Sequence, residues 1–320
     1  MHHRSLRSTM ASGVLRSVRR YTAGAGLTAE QKASYEANGF LHIRGALAPE
    51  VCDALRARSD YHLSQFDPNA YQKSIFSSTH QTRFSDSYFL ESGHQIRYFF
   101  EEKAFDDQGN LKQPVEKSIN KIGHNLHSLD PAFRAISFSS DVVAILKSLG
   151  YVAPVVPQSM YIFKQPSIGG EVLPHQDGTY LYTEPQSVIG FWWALEDCTT
   201  TNGCLYGVAG SHKTTPIKQR FLRTTPFDGQ LTADGDKPLL ETVPSGPVDF
   251  DISKGEPILT KKGDLVLLHS SFVHYSHANT SLASRHAYSI HVVESHNTAY
   301  PATNWLQFPK GMAFPAVYQA

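Results

Sequence analysis

The triplet His175-Gln176-Asp177, with His274 about a hundred residues further on, constrains the fold of this chain more than any other feature. In an extended strand side chains alternate faces, so His175 and Asp177 point to one side and Gln176 to the other. Two imidazoles and one carboxylate are the donor set of a facial triad, which suits non-haem Fe(II) and leaves three octahedral positions open. A chain that uses them together has to bring His274 back beside the first pair. Arg285, eleven positions beyond His274, adds a planar guanidinium able to grip a carboxylate through two parallel hydrogen bonds.

The triplet alone is weak, because 16 histidines and 16 aspartates in 320 residues give about one His-x-Asp by chance. Its setting is more specific. The β-rich run Pro154-Val155-Val156-Pro157-Gln158-Ser159-Met160-Tyr161-Ile162-Phe163-Lys164 lies upstream. Downstream come Val188-Ile189-Gly190-Phe191-Trp192-Trp193-Ala194-Leu195 and the turn Thr201-Asn202-Gly203-Cys204. Around His274, Gly263-Asp264 signals a turn, while Leu265-Val266-Leu267-Leu268-His269 and Tyr288-Ser289-Ile290-His291-Val292-Val293 read as strands. His212 also has an arginine, Arg223, eleven positions on, but it sits in the polar turn Gly210-Ser211-His212-Lys213 without a strand run.

Longer words carry a resemblance. They are Gln158-Ser159-Met160-Tyr161-Ile162-Phe163-Lys164-Gln165-Pro166, Gly169-Gly170-Glu171-Val172 through Pro174-His175-Gln176-Asp177, Asn202-Gly203-Cys204-Leu205, Gly210-Ser211-His212 and Lys117-Ser118-Ile119-Asn120-Lys121-Ile122-Gly123-His124. Together they resemble the phytanoyl-CoA dioxygenase family of Fe(II)/2-oxoglutarate oxygenases over nearly all of residues 27–320. The resemblance implies a mainly β fold with flanking helices around a double-stranded β-helix, a cupin-like jelly-roll. Two packed sheets would surround the metal and N-terminal helices would buttress one of them. It implies His175, Asp177 and His274 as catalytic iron ligands and Arg285 on the far carboxylate of 2-oxoglutarate. Lys121, Met160, Trp192 and Ser276 are implied to line the cosubstrate pocket. Fe(2+), 2-oxoglutarate and O2 would then hydroxylate a small organic or lipid-like substrate, an acyl-CoA or a carboxylic acid among the candidates, with release of succinate and CO2. Two other readings of the same residues stay open: a non-catalytic small-molecule-binding protein on the same barrel, and a zinc-dependent hydrolase, which gives Arg285 no role. A ligating imidazole has to be deprotonated, so activity is expected to fall below about pH 6.

Ordinary structural roles compete at several positions. His269, His277, His286 and His291 read as satisfied structural histidines. Trp192 in an apolar strand reads equally as core, Met160 as a gap-filler, Lys121 as a surface lysine and Ser276 as a turn cap. Lys213, Lys218, Arg220 and Arg223 fall in residues 211–258, an irregular insertion expected near the mouth of the site. They form either a basic groove for a coenzyme A thioester or a solvated loop.

The interspersed 29 basic and 29 acidic residues offer no nucleic-acid or anionic-membrane surface, and no apolar stretch approaches the ~20 residues of a membrane span. Three cysteines without paired spacing fit a reduced compartment. Residues 1–26 stand apart, lacking acidic residues and carrying Arg4, Arg7, Arg16, Arg19 and Arg20 among serines and small residues. They read as a mitochondrial transit peptide or a disordered extension, so a mitochondrial location is expected, otherwise a cytoplasmic one. The C-terminal Tyr318-Gln319-Ala320 does not match a peroxisomal signal. Thr28 with Gln31 predicts a helix ended by Asn38-Gly39, a strand follows over 40–43, and Pro49 opens a second helix. Tyr88-Phe89-Leu90 and residues 96–100 read as strands, and residues 124–136 and 140–149 as helices.

Overall fold

Local signals shape the N-terminal half. In this computed structural model, which describes residue 24 and residues 26–68, 74–76, 86–225 and 238–318, Thr28 and Gln31 exchange both capping-box hydrogen bonds and open α1, Ala29–Asn38. Gly39, at φ 79°, ends it by returning its N–H to Tyr35 O. Strand β1, Phe40–Ile43, follows at once, and Pro49 starts α2, Pro49–Ser64. Two short helices follow later, α3, Pro131–Ser137, and α4, Ser140–Ser148, capped by the side chains of Asp130 and Ser139.

Two local expectations fail. Tyr88-Phe89-Leu90 forms a helical turn, Ser87–Leu90, because the Asp86 carboxylate accepts the Phe89 N–H and all three apolar side chains find cover. The helix expected over residues 124–136 is broken: His124 still ends a strand, and the turn Leu126–Leu129 stops before Pro131. Proline disfavours helical geometry in the residue before it, and Asp130 is extended at φ −113°, ψ 122°.

The remaining strands are β2 Ile75–Phe76, β3 Ile96–Glu101, β4 Ile119–His124, β5 Pro154–Ile162, β6 Val172–His175, β7 Ile189–Ala194, β8 Leu205–Gly207, β9 Arg220–Arg223, β10 Leu240–Val243, β11 Glu256–Ile258, β12 Leu265–His269, β13 His274–Ser276 and β14 Ala287–Glu294. Eight of them make a large sheet in the order β1-β12-β7-β14-β5-β4-β3-β2, and four make a small one, β11-β8-β13-β6. The insertion expected over residues 211–258 contains the separate β9–β10 pair and β11.

Period-two alternation sorts the large sheet's side chains between two cores. Ile189, Phe191 and Trp193 of β7, with Leu265, Leu267, Tyr288 and Ile290, pack against helical residues such as Leu55, Phe133 and Leu146. The intervening Trp192, Ala194, Val266, Leu268 and Ala287 meet Leu205, Ile258 and Phe272 on the small-sheet side. Covered on both faces, β7 is buried at every position, which is why it reads as an unbroken apolar run. This is the jelly-roll expected, helices buttressing one sheet. Among the described residues no helix is long and apolar enough to cross a membrane. Residues 1–23, with the transit-peptide expectation, lie outside the described residues.

Candidate active site

His175 ends β6 and stands directly opposite His274, the first residue of β13, in an antiparallel pair. Gln176 keeps an extended backbone, and its amide donates to Thr215 O and Ser271 O at 2.7 Å each. Asp177 then opens the 3-10 turn Asp177–Thr179 instead of continuing the strand. The geometry expected of the triplet thus survives past the strand's end, with a turn supplying its last member.

Ligand atoms of His175, Asp177 and His274 lie within 4.8 Å of one another. His175 Nε2 is 3.8 Å and His274 Nε2 3.7 Å from Asp177 Oδ1. Each ring's Nδ1 meets a backbone carbonyl, Leu173 O at 2.8 Å and Phe272 O at 3.0 Å. A carbonyl only accepts, so Nδ1 carries the proton and Nε2 presents a lone pair, the tautomer that metal ligation needs. Donors about 2.1 Å from a shared ion and at right angles stand about 3 Å apart. A small side-chain adjustment therefore closes this set on a divalent cation, and the residues fit one.

From β14, His291 Nε2 reaches the other Asp177 oxygen, Oδ2, at 3.3 Å. Behind that carboxylate lies Gly190 of β7, where a Cβ would stand only 3.1 Å from Oδ2, so the absence of a side chain lets Asp177 lie against the sheet. Burial raises the Asp177 pKa, but His291, His274 and His175 together outweigh it and hold the carboxyl well below the usual range. Burial, then the His274 imidazole, push His175 down to about 4. This ligand therefore stays deprotonated below the limit of about pH 6 expected from an ordinary imidazole.

Arg285 is buried, donates from Nε to Gly203 O at 3.0 Å and holds its guanidinium carbon 5.3 Å from the Trp192 ring centre. Among the described residues its NH1 has no hydrogen-bond partner. A buried guanidinium with an unused donor suits a ligand carboxylate. Lys121, Met160, Trp192 and Ser276 line the same cavity of about 640 Å³ as Arg285 and the three candidate ligands. Lys121 Nζ lies 3.9 Å from Met160 Sδ and 3.3 Å from the centre of the Phe76 ring.

His269 packs on Tyr35 and His212, and His286 meets the Tyr161 hydroxyl, structural roles as expected. His291 departs from that expectation by facing Asp177. Its signal was legible: Tyr288, Ile290 and Val292 turn to the helices, so Ser289 and His291 turn inward. Lys164, which donates to Ser276 Oγ at 2.8 Å, was also missed as a site residue. The basic groove does not form as a unit. Lys218 lines the cavity, whereas Arg223 is buried on Trp305 O and Leu90 O, and Arg220 bonds Thr303 and Asn304.

A jelly-roll that gathers two histidines, a carboxylate and a buried arginine around one cavity has the architecture of the cupin-like non-haem iron oxygenases. A sequence model of the Phytanoyl-CoA dioxygenase (PhyH) family matches residues 35–287, and the chain belongs to that family. It is 46% identical over 284 residues to Phytanoyl-CoA dioxygenase of Arabidopsis thaliana, covering 89% of this chain and 95% of that one. It is 43% identical over 297 residues to Phytanoyl-CoA dioxygenase domain-containing protein 1 of Danio rerio, covering 91% and 99%. Among solved structures, the epimerase SnoN in complex with Fe3+, alpha ketoglutarate and nogalamycin RO has a TM-score of 0.58 at 16% identity, covering 90% of this chain and 98% of that one. EctD from S. alaskensis with 2-oxoglutarate and 5-hydroxyectoine has a TM-score of 0.55 at 16% identity, covering 87% and 79%. At that identity the likeness is one of fold. Family and donor set together make the chain an oxygenase that depends on iron and 2-oxoglutarate.

Proposed function

We propose that this enzyme hydroxylates a small, largely apolar molecule held at the aromatic end of its cavity. In this reading His175, Asp177 and His274 hold iron(II), Arg285 takes the distal carboxylate of 2-oxoglutarate, and Lys121, Met160, Trp192 and Ser276 shape the cosubstrate's bed. The observation that carries it is that all eight residues line one cavity, whose wall also includes Phe76, Phe89, Tyr180, Phe221 and Trp305. The phosphates of a coenzyme A thioester call for several cations at the mouth, and among the described lysines and arginines of the insertion only Lys218 lines the cavity. A free carboxylic acid or a neutral lipid-like molecule fits better.

When bound, iron(II) with 2-oxoglutarate and O2 supplies an oxidation that yields succinate, CO2 and a hydroxylated product. The chain supplies orientation and dryness. Leu173 O and Phe272 O set the tautomer that leaves both Nε2 lone pairs free for the metal, and His291 Nε2 stands 3.3 Å from the other Asp177 oxygen. Arg285 would hold the distal carboxylate and so orient the cosubstrate, and the aromatic residues of the wall would exclude water from the reacting C–H bond.

An anaerobic Fe(II) titration with and without 2-oxoglutarate tests the cofactor assignment. A visible charge-transfer band should saturate in the parent, vanish in Asp177→Ala and weaken in Arg285→Ala. Folded, metal-bound protein without a band would return the chain to the zinc or non-catalytic reading. Succinate release across free acids, neutral lipids and acyl-CoAs then tests the substrate class, and turnover confined to acyl-CoAs would overturn it.

A further inference from the structure

We propose that Lys164 positions the Ser276 hydroxyl for the distal carboxylate of 2-oxoglutarate and adds a second positive charge at that end of the cavity. The inference rests on the cosubstrate reading above. Lys164 follows β5 with φ 41°, in the left-handed region that a lysine rarely adopts. Two donors hold its carbonyl there, Asn279 Nδ2 at 2.9 Å and the Arg285 N–H at 3.3 Å. The side chain turns inward until the residue is 2% exposed. Its stem runs over Gly203, where a Cβ would collide with Lys164 Cε, and Gly203 O is also the acceptor for Arg285 Nε. One glycine thus seats both cations.

The Lys164 ammonium donates to Gly170 O at 2.5 Å and to Ser276 Oγ at 2.8 Å. An ammonium has three donors and no acceptor, so one N–H remains after these two bonds. Ser276 Oγ is occupied as an acceptor, which leaves its own O–H to donate into the cavity it lines. Among the described residues neither Lys164 Nζ nor the Arg285 guanidinium has a carboxylate within ion-pair distance. The nearby Glu101 accepts from Asn120 Nδ2 and the Gly170 N–H at Oε2 only, and its buried Oε1 has no hydrogen-bond partner among the described residues, so its charge offsets that of Lys164 only in part. Burial and the Arg285 charge push Lys164 down to about 7, as expected of two cations awaiting a shared anion. A bound carboxylate would accept from Arg285 NH1 and the Ser276 hydroxyl, with Lys164 behind it.

Calorimetry on Mn(II)-loaded protein without O2 tests this with two ligands, 2-oxoglutarate and 2-oxopentanoate, which has a methyl group where the distal carboxylate stands. Lys164→Met should weaken 2-oxoglutarate binding about tenfold and leave 2-oxopentanoate binding unchanged. Ser276→Ala should show the same selectivity, and the double variant should lose less than the sum of the two, because the lysine acts partly through the serine. Lys164→Gln, which keeps a hydrogen-bond donor but no charge, should fall between parent and Lys164→Met and serves if the methionine variant does not fold. Equal weakening of both ligands, or none of either, overturns the role of Lys164. An Arg285→Ala control that binds 2-oxoglutarate like the parent would instead overturn the cosubstrate reading.

Discussion

Replacing Arg285 by methionine should leave the ligand-free protein at least as stable as the parent while removing most of its stabilisation by 2-oxoglutarate. Among the described residues the side chain makes one hydrogen bond, to Gly203 O, and one cation–π contact, with Trp192, while NH1 has no hydrogen-bond partner. Those contacts are worth about 1–3 and about 1–2 kcal/mol. Against them stands the desolvation of a buried cation, several kcal/mol even after relaxation. Methionine refills much of the stem's volume without a charge, so the two sides roughly cancel or favour the variant. With ligand present the balance reverses, because two charge-assisted hydrogen bonds of roughly 1.5–3 kcal/mol each are lost. The dissociation constant should rise by about a hundredfold or more. Thermal unfolding of anaerobic, Mn(II)-loaded protein reads both effects. At a ligand concentration of a hundred parent dissociation constants, the parent gains about 2.7 kcal/mol and the variant about 0.4 kcal/mol or less, roughly 5 °C against under 1 °C for a domain of this size. A variant that melts far below the parent without ligand, or that rises with 2-oxoglutarate as the parent does, would refute the reasoning.

Gly190→Ala places a Cβ 3.1 Å from Asp177 Oδ2 and should displace the carboxylate by a few tenths of an ångström. Metal affinity should drop about tenfold or more with the fold intact, and an Fe(II) titration identical to the parent's would contradict the packing argument. His127, at about 3, and His124, well below an ordinary imidazole, are depressed chiefly by burial. Their folded pKa values lie below the unfolded ~6.5, so stability is flat above that pH and falls as pH drops beneath it. Together they should remove about 3 kcal/mol between pH 7 and 5.5, and denaturant midpoints unchanged over that interval would count against it. Residues 1–26 fused to a fluorescent protein should direct it to mitochondria, and diffuse cytosolic fluorescence would exclude the transit-peptide reading.

Sequence reasoning reached furthest where one residue type answers one physical demand. Thr28, Gln31 and Gly39 declare the bounds of α1, and the apolar run of β7 declares a strand covered on both faces. The triad was legible as a spacing, yet that spacing could not reveal that Asp177 leaves the strand for a turn. Segments governed by local caps misled periodicity: Asp86 and Pro131 redirected runs whose apolar content suited either helix or strand. Lys164 was hard to see for a different reason: it is a polar residue at the end of an apolar stretch, and its importance depends on Ser276, far along the chain. For His291 the alternation of β14 gives the inward direction, but the sequence does not name Asp177 as what it faces. The insertion's lysines and arginines show the converse, since charge along the sequence said nothing about which head group would face inward.

The pairing of β6 with β13 joins segments nearly a hundred residues apart, and the candidate iron ligands sit at that junction. Long-range pairings of this kind form late, after loop-closure entropy has been overcome. A nascent or partly collapsed chain therefore has no complete claw for iron, and full-strength capture has to wait until the small sheet has zipped. Metal affinity and closure of the small sheet are in this way linked, since a ligand set split across the β6–β13 junction is complete only when the two strands are paired.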